Sequence, residues 1–102
     1  MARVNQHQFE QLCDEVAAEF PSLLSGITDE GQRTERALDE LFVRLCAYLG
    51  LDPGQQGKPL GDSAGFRVMQ TLDEHMEGDF QSSTILDERL LVHVSPIQTA
   101  SK

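Results

Sequence analysis

Five of the chain's eight glycines crowd into residues 50–65, GLDPGQQGKPLGDSAG, together with Pro53 and Pro59. Neither a helix nor a strand tolerates that density in its interior. Glycine loses the most backbone freedom on folding, and proline lacks an N–H donor. The segment therefore cuts the chain into two halves, and each half shows the apolar spacing of helices.

In the first half, Asn5 suits an N-cap, and Gln8 three residues on completes a capping box. Val4 and Phe9 stand where a hydrophobic staple closes. Phe9, Leu12, Cys13, Val16, Ala17 and Phe20 then recur at i, i+3, i+4 and i+7, which predicts an amphipathic first helix. Pro21 disfavours helix at Phe20 and is expected to bend or end it there. Leu23, Leu24 and Ile27 follow as a short apolar turn, with a break at Gly26 and Thr28.

The second helix has the widest stripe, made of Ala37, Leu38, Leu41, Phe42, Leu45, Cys46 and Leu49. Thr28 or Asp29 can cap it, and Glu40 with Arg44 forms an i,i+4 pair in the favourable orientation. Gly50 is expected to end it in a left-handed conformation, with Leu51 closing a Schellman motif. So wide a stripe implies either a central helix or a homodimer face.

After the glycine segment, Asp62 or Ser63 can cap a third helix. Its stripe is read as Phe66, Met69, Leu72 and Met76, and its stop as Gly78. Ile85, Leu86, Leu90, Leu91 and Val94 are read as a fourth helix opened by Ser83 or Thr84. A short strand is the alternative, because Leu90, Val92 and Val94 alternate. The expected fold is an all-α, four-helix bundle-like single domain over residues 1–95, with residues 96–102 as a tail. The first two helices are expected to pair as a hairpin, with the glycine-rich loop joining helices two and three.

Composition narrows the function classes. Seventeen acids against eight bases leave a net charge of −9. Binding to a nucleic-acid backbone or an anionic membrane needs the opposite sign, so neither is expected. No apolar run approaches the length of a transmembrane helix, and the first residues lack the apolar centre of a signal peptide. Cys13 and Cys46 are too few for a disulfide scaffold, so cytoplasmic residence is expected. Both cysteines fall on apolar helix faces, where a thiol acts as a small hydrophobe.

Three segments invite chemistry. Gly54, Gly57 and Lys58 resemble a phosphate-binding loop, but the match fails. Asp52 stands where the first glycine belongs, Pro59 replaces the magnesium-binding hydroxyl, and a helix precedes the loop where a strand should. The exposed centre of the loop, Gln55, Gln56, Gly57, Lys58, Pro59 and Leu60, is instead the expected partner contact, since loops this long are usually functional or disordered. The second segment, Asp73 to Asp79, gathers acids at the negative end of the third helix. It is not an EF-hand, because His75 and Glu77 replace the middle ligands and Thr84 the terminal glutamate. Glu74, His75 and Glu77 are its weak metal candidates. The third candidate is the pair Cys13 and Cys46, which lacks a C-x-x-C motif or a histidine at helical spacing. The histidines are scattered, with His7 three residues before Glu10 and His93 read as a half-buried packing residue.

None of these supplies a nucleophile with its base, so no catalysis and no cofactor are expected. The expected function is a non-enzymatic interaction domain: an adaptor, assembly factor or small chaperone. It would bind another protein through an apolar helix face and the loop. The alternatives are an acidic regulator that occupies a basic or nucleic-acid-binding surface by charge mimicry, and a divalent-metal or small-ligand protein built around His75.

Overall fold

Asn5 starts the first helix as its side chain predicts. The Gln8 N–H donates to Asn5 Oδ1 at 2.9 Å, and the Asn5 N–H donates to Gln8 Oε1 at 3.2 Å. Helix α1 runs Gln6–Ala18 and buries Phe9, Leu12, Cys13 and Val16. The computed structural model describes residues 3–55 and 64–94. The Asp62 and Ser63 caps, the loop residues Gln56 to Leu60 and the 96–102 tail therefore lie outside the described residues.

The break near Pro21 comes earlier than the sequence implies. It falls at Glu19, and a one-turn helix α2, Phe20–Leu23, follows with Pro21 in its first turn. Proline is tolerated there because a first-turn N–H has no intrahelical acceptor in any case. Gly26, at φ +83°, then turns the chain toward the next helix.

Helix α3, Glu30–Leu49, is the centre of the fold. The Gln32 N–H donates to Asp29 Oδ2 at 2.9 Å and caps it. Gly50 ends it at φ +78°. The Leu51 N–H reaches the Cys46 carbonyl at 2.8 Å and the Gly50 N–H the Ala47 carbonyl at 3.3 Å, which is the Schellman pair. All seven residues of the expected stripe are buried. They are covered within one chain, because α3 packs against α1, α2 and α4. Pro53–Gln55 adds a short 3₁₀ turn.

Helix α4, Ala64–His75, faces α3 with a side rotated from the expected one, keeping Leu72 but not Phe66. Ala64, Val68, Thr71 and Leu72 are buried, Met69 and Met76 are only half-buried, and Phe66 is 51% exposed. Small and β-branched side chains at 64, 68 and 71 suit the extensive α3 contact. They too obey the i, i+4, i+7 spacing. The start of α4 is tied to α3, since the Ala64 N–H donates to Glu35 Oε2 at 2.9 Å.

The helix also stops before Gly78. Met76 leaves it to form a single parallel bridge with Val4. The Val4 N–H donates to the His75 carbonyl at 2.9 Å, and the Glu77 N–H to the Val4 carbonyl at 2.8 Å. Gly78, at φ +77°, belongs to the turn that follows.

Helix α5, Ser82–Arg89, begins before Ser83 and Thr84, and no side chain caps it. It packs on α1. Residues Leu91–His93 form a 3₁₀ turn, so the alternating Leu90, Val92 and Val94 are not a strand. Leu90 and Val94 turn inward while Val92 is 53% exposed. The fold is all-α and bundle-like. Its core runs from Val4 to Val94 and is centred on α3.

Candidate functional site

Arginine placement organises the surface. Each of the six arginines lies among the described residues, and each is committed to an internal contact. Arg3 donates to the Met76 carbonyl at 3.2 Å. Arg33 reaches three carbonyls, those of Val94 at 2.7 Å, Ile27 at 2.8 Å and Leu24 at 3.3 Å. It thereby ties the chain on either side of α3 to that helix. Arg36 lies 3.4 Å from Glu40 and 3.8 Å from Asp39. Arg44 bridges Glu40, at 3.0 Å, and Glu19 across helices. Hydrogen bonds, from Glu19 first and then Glu40, hold its guanidinium still more firmly protonated.

Arg67 and Arg89 join helices. Arg67 of α4 lies 3.1 Å from Asp39 of α3, with its guanidinium 5.2 Å from the centre of the Phe42 ring. Its buried Nε has no hydrogen-bond acceptor, and the ring offsets part of that cost. Arg89 of α5 lies 2.8 Å from Asp14 and 3.7 Å from Glu10, both on α1.

The acids exceed this supply of cations. Asp73, Glu74, Glu77, Asp79, Asp87 and Glu88 are exposed, and none forms an ion pair among the described residues. Between Arg67 and Lys102 the sequence has one basic residue, Arg89, and α1 occupies it. Uncompensated charge is thus dense after residue 72, while Glu15 and Glu30 are also exposed and form no ion pair among the described residues.

Part of that charge rims a groove of about 680 Å³ between the start of α1 and residues 79–88. Gln6, Glu10, Asp79, Phe80, Gln81, Thr84, Ile85 and Glu88 line it. Phe80 is held there by Phe9, with ring centres 6.0 Å apart and planes tilted 36°. Gln6 Nε2 donates to Glu10 Oε2 at 3.1 Å, so Glu10 is steadied from both helices, whereas Asp79 and Glu88 form no ion pair among the described residues.

The residues singled out in the sequence fare differently. Gln55 ends the 3₁₀ turn, and Gln56, Gly57, Lys58, Pro59 and Leu60 lie outside the described residues. Glu74, His75 and Glu77 do not converge. His75 Nδ1 turns back to the Thr71 carbonyl at 3.0 Å, and its own carbonyl serves the Val4 bridge. Among the described residues no three His, Cys, Asp or Glu side chains are placed to hold a metal ion. Glu10 engages Gln6 and Arg89 rather than His7. His93 is exposed, not half-buried, because it sits on the outer side of the terminal 3₁₀ turn.

Both cysteines are reduced and wholly buried. Burial chiefly, with the negative charge of Asp14 beside it, pushes the Cys13 thiol up to about 12. Burial, then Asp52, pushes Cys46 up as well. Thiolate is the nucleophilic form, so both stay inert near neutral pH.

The groove was not legible beforehand. Phe80 went unremarked, and Glu10 and Glu88 are 78 residues apart in the numbering. The usable signal was the run of acids after residue 72 with a lone aromatic inside it. Against protein-family models, curated proteins and solved structures, the chain gives no match. Among the described residues no helix is long and apolar enough to cross a membrane.

Proposed function

We propose that this chain is a small, non-catalytic protein-interaction domain whose partner presents a basic surface. One observation carries the reading. Every described arginine is used inside the fold, while six exposed carboxylates of the C-terminal half have no cation partner among the described residues. Excess like charge on one surface favours a partner of the opposite sign, and a basic partner relieves that excess on binding. The buried, protonated thiols of Cys13 and Cys46 support the non-catalytic part of the reading. The stripe of α3 is spent in the core, so the apolar helix face expected as a contact gives way to the acidic surface.

The test is co-purification from a source lysate at about 50 mM and 500 mM salt, followed by reconstitution with the purified partner. Screening weakens exposed charge contacts beyond roughly 8–10 Å at physiological ionic strength and shortens that reach further at high salt. A stoichiometric partner with a basic contact surface, released by salt, is expected. A partner retained equally at both salts would point to apolar docking and end the charge-based reading.

A further inference from the structure

The groove between the start of α1 and residues 79–88 combines a ring, an aliphatic wall and carboxylates. Phe80 and Ile85 form its apolar part, and Glu10, Asp79 and Glu88 its acidic part. The molecule shows elsewhere what such a combination holds. Arg67 sits with its guanidinium 5.2 Å from the Phe42 ring centre and 3.1 Å from the Asp39 carboxylate. The groove brings the same residue types together, and no arginine of the chain pairs with Asp79 or Glu88. Arg89, the basic residue at hand, is drawn to Asp14 at 2.8 Å.

We propose that this groove receives an arginine side chain from a partner protein, within an arginine-bearing segment that also carries an apolar residue. The proposal rests on the basic-partner reading above and names where and how that partner is recognised. Arginine suits the groove better than lysine. Its planar guanidinium stacks on a ring and meets a carboxylate with two parallel N–H donors. The apolar neighbour covers the exposed part of Phe80. A second copy of this chain is a poor occupant, because it carries the same −9 charge and its described arginines are already engaged.

The experiment is an amide-resolved NMR titration of the full chain with a blocked hexapeptide containing one arginine beside one leucine. A citrulline version keeps the shape and removes the charge. The expected result is saturable shifts at Phe80, Thr84 and Ile85, with the citrulline peptide about fivefold weaker. The exposed double variant Asp79→Asn, Glu88→Gln should keep the fold, checked by circular dichroism, and weaken the arginine peptide by about fivefold to tenfold. Shifts confined to Asp73 to Glu77, or unchanged in the double variant, would overturn the groove while leaving a basic partner in place. If neither the peptide nor polylysine binds at low salt, both readings fall. A concentration-dependent dimer that shifts the groove signals would assign the site to a second copy and overturn the proposal.

Discussion

Helices α1 and α5 pack on each other, yet they are specified in different ways. α1 carries its own start signal in the Asn5–Gln8 box and buries a regular stripe. α5 has no side-chain cap, and three residues, Ser82, Ile85 and Leu86, make up its buried side. Its place comes from α1, through the Arg89–Asp14 pair and the Phe9–Phe80 contact beside it. α3 and α4 are tied together in a similar way. α3 has Asp29 at one end and a Schellman turn at the other. The first N–H of α4 is satisfied by Glu35, 29 residues away on α3. Helices α1 and α3 thus carry local signals at their starts, and α5 takes its place from α1. The segment around α5 also carries Asp79, Asp87 and Glu88, which form no ion pair among the described residues.

The largest test of this contrast is Leu45→Ala. Leu45 is fully buried on α3, and the substitution should cost about 3 kcal/mol or more. Because α1, α2 and α4 all rest on α3, urea unfolding followed by circular dichroism should remain one transition. Two separate transitions would mean that the halves fold independently.

A somewhat smaller effect should come from alkali. The Cys13 thiol titrates at about 12 when folded, against an ordinary 9.0. The unfolded chain therefore releases this proton first as pH rises, so stability is intact below pH 9 and declines through about 12. Urea midpoints should correspond to about 2–3 kcal/mol less stability at pH 11 than at pH 8. Cys13→Ala should flatten much of that loss, and an equal loss in the variant would locate the sensitivity elsewhere.

Caps separate the two kinds of helix directly. Asn5→Ala should cost about 1 kcal/mol, because it removes an acceptor that the α1 N-terminus uses. Gln81→Ala, at the uncapped start of α5, should change stability by less than about 0.5 kcal/mol. Similar losses at both positions would show that α5 has a local start signal after all. The smallest change expected is a gain. Glu74 stands in the last turn of α4, where a negative charge opposes the helix dipole. Glu74→Lys should raise stability by about 0.3–0.5 kcal/mol at low salt and by less at high salt.

The same division explains what could be read in advance. The α1 box, the α3 stripe and the Gly50 stop are short-range patterns, and the backbone geometry answers each of them. The side of α4 was misread because Phe66 outweighed Ala64 and Val68 in apolar size, while close contact with α3 favours the smaller pair. The pairing of Val4 with Met76 joins segments 72 residues apart, and nothing local announces it. The acids of residues 73–88 were visible as composition, but not which of them would remain unpaired.

The sequence by itself determined that this chain is helical, where α1 and α3 begin, that α3 carries the widest apolar stripe, and that acid exceeds base. Those properties follow from i to i+4 spacing, capping side chains and charge counts, all of which act within a few residues. Tertiary structure alone decided which side of α4 is buried, how α5 is held, and that Glu10, Asp79 and Glu88 share one groove. These outcomes depend on packing and ion pairing between segments far apart in the chain. Their energies arise once the chain has brought those segments together, so no local pattern encodes them.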